Sequence, residues 1–412
     1  MKPLRKKIYV AAGYNTTYYG SGRKDFDPSK PMPTPESYLL ETAKGTSIQI
    51  PQPDFDEGVI GSFMAARFIH QANLPGFLPF MLPELKNKPC TAVEGACGTG
   101  GRAIATGMRS ILSDMADAVF VACFEIQNTV KAVYGADILA GASYYAKERK
   151  SGEAFFFPGV FSARAGAYIE KFGKDLPRRA MAAWYEQAIL NARKNPKAQE
   201  FHNKRIDLFK LGMTPPDPET FVPYLNLYDC SKVSDGASSL GLFSEKGLQA
   251  CGIPLDSAVE IAAIGEAQGD ITLPPENPVE LSTTVKAVKK ALESSGISLK
   301  DIGWLEIHDC FSISALLALE AIGLVPTGQS PAYILDGKTR SDGEMPTNLS
   351  GGLIGFGHPT GATGVRQLVD LFLQLVGNAD NQVSSQKPYG MMISMGGNDK
   401  TVTCFIVKRA HE

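Results

Sequence analysis

The sequence predicts an α/β protein with buried strands. Short runs rich in β-branched and aromatic residues alternate with longer amphipathic stretches. With 412 residues, 44% of them hydrophobic, the chain is long enough for two ordinary domains or one large α/β body. The succession of strand, short turn, cysteine and apolar-striped helix occurs twice, which indicates that the second half repeats the first in outline.

The first half begins with two clear strands, KKIYVAAGY and ADAVFVACFE. Between them, TPESYLLETAKG and RAIATGMRSILSDM have the apolar spacing of amphipathic helices. From residue 129 to residue 223 strand signals are few, and the stretch contains an aromatic run and the charged helical segment PRRAMAAWYEQAILNARKN. We therefore expect a helical insertion or lid in this region.

Strand character returns at SDGASSLGLFSEKG and VEIAAIGEAQG. The next expected elements are the helix STTVKAVKKALESSG, the strand IGWLEIHD, the helix SISALLALEAIG and the closing strands YGMMISMGG and KTVTCFIVKR. The expected organisation is a first half made of residues 1–128 and 224–256, an insertion over residues 129–223, and a second half over residues 257–412.

Charge and cysteine usage exclude several functional classes. The net charge is −2, and no basic run suggests nucleic-acid or membrane-surface binding. The seven cysteines are odd in number and include no CxxC pair, which argues against a disulfide framework or a zinc site. The glycine-rich turns lack the Lys-Ser/Thr of a phosphate-binding loop. We recognise no targeting or membrane-spanning segment and expect a reducing, cytoplasmic setting.

Two glycine-rich turns contain a candidate nucleophile and a candidate base. Cys97 lies in VEGACGTGG, and His358 lies in GGLIGFGHPTGATG. A thiol attacks as its thiolate, so it needs a base or a positive dipole to lower its pKa, and small neighbours that admit an acyl group. The chain has only five histidines, which sharpens the signal. The pair predicts acyl transfer through a covalent thioester.

Cys310 is a second candidate thiol. CTAVEGACGTGGRAIATGMRSIL and IGWLEIHDCFSISALLALEAIG share one plan, so Cys97 and Cys310 are expected at matching positions in the two halves. Each would lie at a helix N-terminus, where free amides favour a thiolate or an oxyanion. The alternative is that a cysteine at a strand-helix junction is a small buried hydrophobe, and it stays open for Cys310.

Four motifs in this order resemble the thiolase family, in its sterol-carrier-protein-type branch: VEGACGTGG, HDCF at residues 308–311, GFGHPTGATG and SMGGND. The resemblance runs nearly end to end. It implies two similar βαβαβαββ-type halves in a five-layered α-β-α-β-α body, with a loop domain inserted in the first half and a dimer as the usual unit. Residues 129–223 would form that loop domain.

The resemblance also implies catalytic roles. Cys97 would hold the acyl group as a thioester, His358 would take the thiol proton, and His308 would donate to the enolate oxygen formed on cleavage. Cys310 would be the acid and base. Most thiolases have a second catalytic cysteine where this chain has Ser394, in SMGG, and a serine hydroxyl is a poor acid or base near neutrality.

Two kinds of binding residue accompany these roles. The resemblance implies an oxyanion site made by the amides of Cys97 and Gly396, with His308 and His358 as further oxyanion-binding residues. Four phenylalanines are candidates for an acyl pocket, although such a cluster is more often core. They are Phe155, Phe156, Phe157 and Phe161.

Coenzyme A is the implied cosubstrate, and no covalently bound cofactor and no metal are expected in this chain. The residues that contact CoA are not identified by the sequence. A homodimer core is expected. A small accessory subunit with a zinc ribbon and an OB-type fold is a further hypothesis, because thiolases of this branch often have one and this chain contains no such module.

Three functions stay open at this point. The first is thiolysis of a bulky 3-oxoacyl-CoA, with 2-benzoylsuccinyl-CoA from aromatic degradation as the specific candidate and benzoyl-CoA and succinyl-CoA as products. The second is acetoacetyl-CoA thiolysis or another Claisen condensation of small acyl-CoAs. The third is a non-catalytic thiolase-like scaffold or acyl-CoA-binding subunit, which would be expected to lack the nucleophile or the base.

Overall fold

Nine strands and fifteen α-helices form the regular structure of residues 3–150 and 154–411, the part of the chain that this computed structural model describes. The strands are β1 Tyr9–Asn15, β2 Glu57–Gly61, β3 Cys90–Val93, β4 Ala118–Glu125, β5 Gly236–Phe243, β6 Val259–Gln268, β7 Ile302–Glu306, β8 Tyr389–Gly396 and β9 Thr401–Arg409. The helices are α1 Pro35–Ser47, α2 Ala65–Phe68, α3 Leu78–Met81, α4 Thr99–Leu112, α5 Ala132–Leu139, α6 Tyr145–Glu148, α7 Phe156–Phe172, α8 Asp175–Ala192, α9 Leu208–Gly212, α10 Glu245–Ala250, α11 Ser282–Ser295, α12 Ser312–Ile322, α13 Ser330–Leu335, α14 Gly352–Gly355 and α15 Thr363–Leu375.

The two halves of the chain share one strand order. The first half has the order β1-β5-β4-β2-β3, the second has β6-β9-β8-β7, and β1 pairs with β6 between them. Antiparallel and parallel pairings also match along the two series. The counterpart of β3 is reduced to one parallel bridge between Leu305 and Thr347. The expected repeat is therefore present.

Alternating side chains of the strands enter different cores, which produces five layers. In β9, Phe405 and Val407 pack with α4 and α15, whereas Cys404 and Ile406 pack in the core that contains α11 and α12. β4 alternates in the same way between the central core and an outer core that contains α1. The α-β-α-β-α thiolase architecture is confirmed, with α4 and α15 in the middle layer.

The strands and helices predicted from the sequence are all present. Among the elements that were not predicted, β2 and α15 matter most for the site. The strand β2 is five residues long and contains two glycines, so it carries little β-propensity. The helix α15 begins inside the glycine-rich turn after His358, where the sequence favours a loop. Both elements belong to the central part of the fold and help to position the site.

The stretch between β4 and β5 is helical in its described residues, which exclude residues 151–153. It contains α5 to α9, and no strand is formed there. Its separation as a domain over residues 129–223 stays a prediction. Among the described helices, none is long and apolar enough to cross a membrane.

Cys97 and Cys310 do not occupy matching positions, so that expectation is wrong. Cys97 follows β3, which lies at the edge of the sheet. Cys310 follows β7, and β7 corresponds to β2 because both strands pair in parallel with a central neighbour and with a short edge segment. The local pattern of strand, turn and cysteine does not reveal which strand of a sheet precedes the turn.

Candidate active site

A cavity of about 210 Å³ contains all four predicted catalytic side chains, Cys97, His308, Cys310 and His358. Cys97 comes from the first half of the chain and the other three from the second. One ligand-type atom from each of Cys97, His308 and His358 lies within 4.8 Å of the others. Much of the remaining wall is apolar, with residues Phe63, Phe68, Val130, Ala132, Gly135, Ala136, Leu139, Ala142, Phe155, Phe157, Pro158, Phe161 and Phe311.

Cys97 lies in a tight turn directly before α4. The preceding residue, Ala96, has a φ of +53°, a left-handed conformation that a residue with a Cβ rarely adopts. Thr99 closes the turn: its Oγ1 accepts from the Gly95 amide at 3.0 Å and donates to the Ala96 carbonyl at 2.6 Å. The turn holds the Cys97 side chain at the wall of the cavity. The residue is half-buried, because the cavity leaves one side of it accessible.

The Cys97 thiol is held in its neutral form, contrary to the expectation of a lowered pKa. Burial, together with the nearby buried Glu125, raises the pKa of Cys97 to about 12, although the amides of Cys97 and Gly397 act in the opposite direction. Of these two amides, that of Gly397 belongs to a residue that lines the cavity, whereas Gly396 is the last residue of β8. The oxyanion site made by the amides of Cys97 and Gly396 stays a prediction.

The His358 imidazole is arranged as a base. Its Nδ1 lies 2.7 Å from Thr363 Oγ1, and that hydroxyl is also 3.2 Å from the Pro359 carbonyl, to which it donates. Thr363 therefore accepts from Nδ1–H, which assigns the lone pair to Nε2. His358 Nε2 is buried and has no partner among the described residues. Burial, together with the nearby Arg366, lowers the pKa of His358 to about 3, so the ring is neutral.

The His308 imidazole has the opposite tautomer. Its Nδ1 accepts from the Met395 amide at 3.4 Å, which assigns the proton to Nε2. Burial, with smaller contributions from His358 and Arg366, lowers the pKa of His308 well below its ordinary value. The two rings meet edge to face, with centroids 5.2 Å apart. The site thus offers one neutral nitrogen donor and one neutral nitrogen acceptor.

Cys310 is held beside Cys97 at the start of α12. Its Sγ lies 3.7 Å from Ser314 Oγ. Burial and the proximity of Cys97 raise the pKa of Cys310 well above its ordinary value, while Ser314 and the Phe311 amide oppose that rise. A neutral thiol at this position is a proton donor, as expected of an acid. Ser394 is buried but does not line the cavity.

The segment that contains His308 and Cys310 is fixed by the residue between them. Asp309 is fully buried and accepts from Trp184 Nε1 at 3.0 Å and from the Leu353 amide at 2.7 Å. Burial raises the pKa of Asp309 to about 6. Directly after β7, the Ile307 amide donates to Asn348 Oδ1 at 2.7 Å. Sequence reasoning singled out HDCF but did not identify Asp309 as its anchor.

Two buried arginines also support the site and were missed. Arg366 pairs with Glu306 at 3.3 Å and with Asp370, and it contributes to keeping both histidines neutral. Arg164, on α7, donates from Nε to Asn398 Oδ1 at 2.6 Å and from Nη1 to two backbone carbonyls at 2.9 Å. Since Asn398 follows Gly397, Arg164 fixes the turn that aims an amide at Cys97. No local motif in the sequence marks either arginine.

Three of the four predicted phenylalanines line the cavity, and one does not. Phe155, Phe157 and Phe161 contribute to the wall, and Phe161 stacks on Phe311 with centroids 4.5 Å apart. Phe156 is buried away from it, so its assignment to the pocket is wrong. Consecutive residues of a helix point about 100° apart, so neighbours cannot all face one cavity.

The spacing of Cys97, His308 and His358 also suits a transition-metal ion. The expectation that the chain binds no metal therefore stays a prediction. What the described geometry offers directly is a thiol, a base, a donor and a second thiol around one apolar cavity, the parts needed for acyl transfer.

Comparison with known sequences agrees with this chemistry. Residues 270–409 match a family model described as "Thiolase C-terminal domain-like". The chain is 31% identical over 357 residues to an acetyl-CoA acetyltransferase of Methanothermobacter thermautotrophicus, covering 86% of this chain and 89% of that protein. It is 34% identical over 227 residues to human sterol carrier protein 2, covering 54% and 40%, respectively. The benzoylsuccinyl-CoA thiolase subunit BbsB of Thauera aromatica is 25% identical over 370 residues, covering 89% and 88%.

Solved structures show the same fold. A structure titled "Ltp2-ChsH2(DUF35) aldolase" superposes with a TM-score of 0.75 at 18% identity, covering 99% of each chain. Human mitochondrial 3-ketoacyl-CoA thiolase in complex with CoA superposes with a TM-score of 0.65 at 17% identity, again over 99% of each chain. At these identities the likeness concerns the fold.

The fold and the site define an acyl-transferring enzyme with a cysteine nucleophile. The chain belongs to the thiolase family, in its sterol-carrier-protein-type branch. It is accordingly an acyltransferase of the CoA-dependent thiolase class.

Proposed function

We propose that this thiolase cleaves a bulky 3-oxoacyl-CoA through an acyl-enzyme on Cys97, and that 2-benzoylsuccinyl-CoA is its substrate, giving benzoyl-CoA and succinyl-CoA. The observation that carries the proposal is the position of Cys97 in a cavity lined by aromatic side chains. An apolar aromatic wall suits a planar ring better than a small acetyl group. Similarity to the Thauera aromatica subunit over most of both chains also supports this substrate.

In the first half-reaction, Cys97 Sγ bonds to the 3-oxo carbon and its proton passes to His358 Nε2. The bond between carbons 2 and 3 then breaks, and its electron pair forms the enolate of the departing acyl-CoA. His308 Nε2–H binds the enolate oxygen, and the amides of Cys97 and Gly396 bind the oxygen of the acyl-enzyme. Cys310 donates its proton to carbon 2, which completes the first product.

In the second half-reaction, the thiol of CoA gives its proton to the Cys310 thiolate. The CoA sulfur bonds to the acyl carbon, and the Cys97 sulfur leaves and recovers its proton from His358. The raised pKa of both thiols agrees with proton transfers that accompany bond making, rather than with a stable thiolate before the substrate reacts.

Thiolysis or formation of acetoacetyl-CoA is the second candidate function. It is favoured by the higher identity to two archaeal acetyl-CoA acetyltransferases, 31% and 30%. The scaffold hypothesis has less support, because Cys97, His308, Cys310 and His358 all line one cavity.

We also propose a homodimer in the cytoplasm and a separate accessory subunit. Among the described strands, β3 pairs on one side only, and its Thr91 and Ala92 are exposed, which leaves an edge available to a second copy. One structural relative is titled as a complex with a DUF35 partner, which supports a test of such a subunit. Light scattering of the purified chain, alone and with a candidate subunit, measures both associations.

The division of labour between the two cysteines is testable by substitution. Cys97→Ser is expected to abolish the acyl adduct formed from benzoyl-CoA, because a serine hydroxyl is a far weaker nucleophile here. Cys310→Ala is expected to leave the adduct detectable while turnover with CoA is lost. Peptide mass spectrometry locates the adduct, and Cys251→Ala, a buried thiol outside the cavity, is the control. Equal loss of adduct in both active-site variants would reject these roles.

The substrate is tested by incubating wild-type protein with benzoyl-CoA, acetyl-CoA and acetoacetyl-CoA, with and without the accessory subunit. A benzoyl adduct on Cys97 supports the aromatic substrate. Acetylation alone supports the second candidate, and no adduct under any condition supports the scaffold.

A further inference from the structure

One face of α5 forms part of the cavity wall with small side chains. The residues are Ala132, Gly135, Ala136 and Leu139. Their spacing of i, i+3, i+4 and i+7 is that of a single helix face. The other wall residues include large aromatic rings. The size of the α5 side chains therefore decides how much space is left in the cavity beside those rings.

Gly135 is the smallest of these residues, and the backbone does not require a glycine there. It lies within a helix, and its φ is not positive. A Cβ built at this position would meet Phe68 Cε1 and Val130 Cγ2 at 3.8 Å, an ordinary van der Waals contact. Glycine in a helix interior is less stable than alanine. The missing side chain is thus explained by the space in the cavity and not by local conformation or packing.

The same cavity contains the unpartnered Nε2 of His358, which is buried and is the nitrogen available to a reacting group. The space beside Gly135 therefore belongs to a cavity that also presents a base and Cys97. An acyl group held as a thioester on Cys97 must occupy this cavity.

We propose that the small face of α5 sets the size of the acyl group, and that Gly135 is the specificity-determining residue that admits a ring-sized apolar acyl group. The inference rests on the proposed thiolysis and adds to it a structural determinant of the acyl class. A larger residue at position 135 would restrict the same catalytic groups to short acyl chains.

The test compares acyl transfer from benzoyl-CoA and from acetyl-CoA to Cys97. Gly135→Leu is expected to lower the rate of benzoyl transfer by about tenfold or more, as steric exclusion from an apolar pocket does, while acetyl transfer is retained. Gly135→Ala, which favours the helix, should give a smaller loss in the same direction. Val133→Leu, on the exposed face of α5, is the matched control and should change neither rate.

Retained acetyl transfer in Gly135→Leu shows that the protein is folded and the chemistry intact. The proposal is overturned if Gly135→Leu transfers benzoyl at the wild-type rate, or if both Gly135 variants lose the two transfers to the same extent. A wild-type protein that accepts acetyl but not benzoyl rejects the aromatic substrate, and this failure is visible before any variant is made.

Discussion

The two imidazoles of the site differ in role because their Nδ1 atoms have different partners. Thr363 accepts a hydrogen bond from His358 Nδ1–H, whereas the Met395 amide donates a hydrogen bond to His308 Nδ1. Two rings of one residue type, edge to face in one cavity, are thereby made a base and a hydrogen-bond donor. Both rings are neutral before the reaction begins, which suits a buried and largely apolar site.

Thr363→Val is expected to slow acylation of Cys97 by about tenfold. The substitution keeps the shape of the side chain but removes the acceptor of Nδ1–H, so the tautomer and ring orientation of His358 are no longer fixed. The buried donor also loses a partner, which costs about 1–3 kcal/mol of stability. Rapid-quench measurement of the acyl adduct tests the rate.

Thr363→Ser is the matched variant, because it keeps the hydroxyl and should recover most of the rate. If the role of Thr363 were purely structural, the valine variant, which keeps the branched shape, would instead acylate Cys97 faster than the serine variant.

At the level of elements, α8 connects the helical stretch after β4 to the catalytic segment. Arg178 makes two hydrogen bonds to Asp229, at 2.7 and 2.6 Å, and Asp229 also accepts from Ser312 at the start of α12. Further along α8, Trp184 donates to Asp309, between His308 and Cys310. The helix is therefore part of the support of the site and not only a covering layer.

Arg178→Ala is expected to destabilise the protein by about 3–5 kcal/mol, because it leaves the buried carboxylate of Asp229 without its cation. The control is Arg179→Ala, next along α8. Arg179 is half exposed, and its ion pair with the exposed Asp175 is long, at 3.9 Å. Its removal should therefore change the free energy of unfolding by less than about 0.5 kcal/mol. Urea unfolding at neutral pH compares the two. Equal effects would mean that the Arg178 pair does not hold α8.

At the scale of the whole molecule, burial of two neutral histidines makes folding depend on pH. In the unfolded chain, a histidine gains a proton as the pH falls through about 6.5. In the folded protein, His358 does not do so until its pKa of about 3. Between these values the unfolded state binds more protons, so stability falls as the pH falls. Buried carboxyls with raised pKa values, such as Asp309, have the opposite effect. Below about pH 6 they gain a proton first in the folded protein, so they increase its stability as the pH falls.

Comparison with His358→Asn isolates this histidine from the carboxyls. Between pH 7.5 and pH 5 the wild-type protein should lose about 2 kcal/mol more unfolding free energy than the variant. Chemical denaturation at a series of pH values measures the difference. Parallel pH profiles would mean that His358 is protonated in the folded protein and is not the neutral base inferred from its contacts.

The order of elements and the identity of the reacting groups could be predicted from local sequence. Strand and helix periodicity revealed most of the two halves, because each residue's environment in a regular element follows from its spacing. Glycine-rich turns marked Cys97 and His358, since an accessible nucleophile needs small neighbours. Two of the elements that were missed, β2 and α15, have short or glycine-rich beginnings that weaken the same signals.

By itself, then, the sequence determined the α/β class, the repeat and the chemical parts of the site. Only the tertiary structure decided which amides lie near the Cys97 sulfur, which phenylalanines face the cavity, which tautomer His308 adopts and where in the sheet the strand before each cysteine lies. The physical reason is that these properties depend on contacts between residues far apart in the chain. His308 takes its tautomer from the distant Met395 amide, and Cys310 lies beside Cys97 only when the two halves pack.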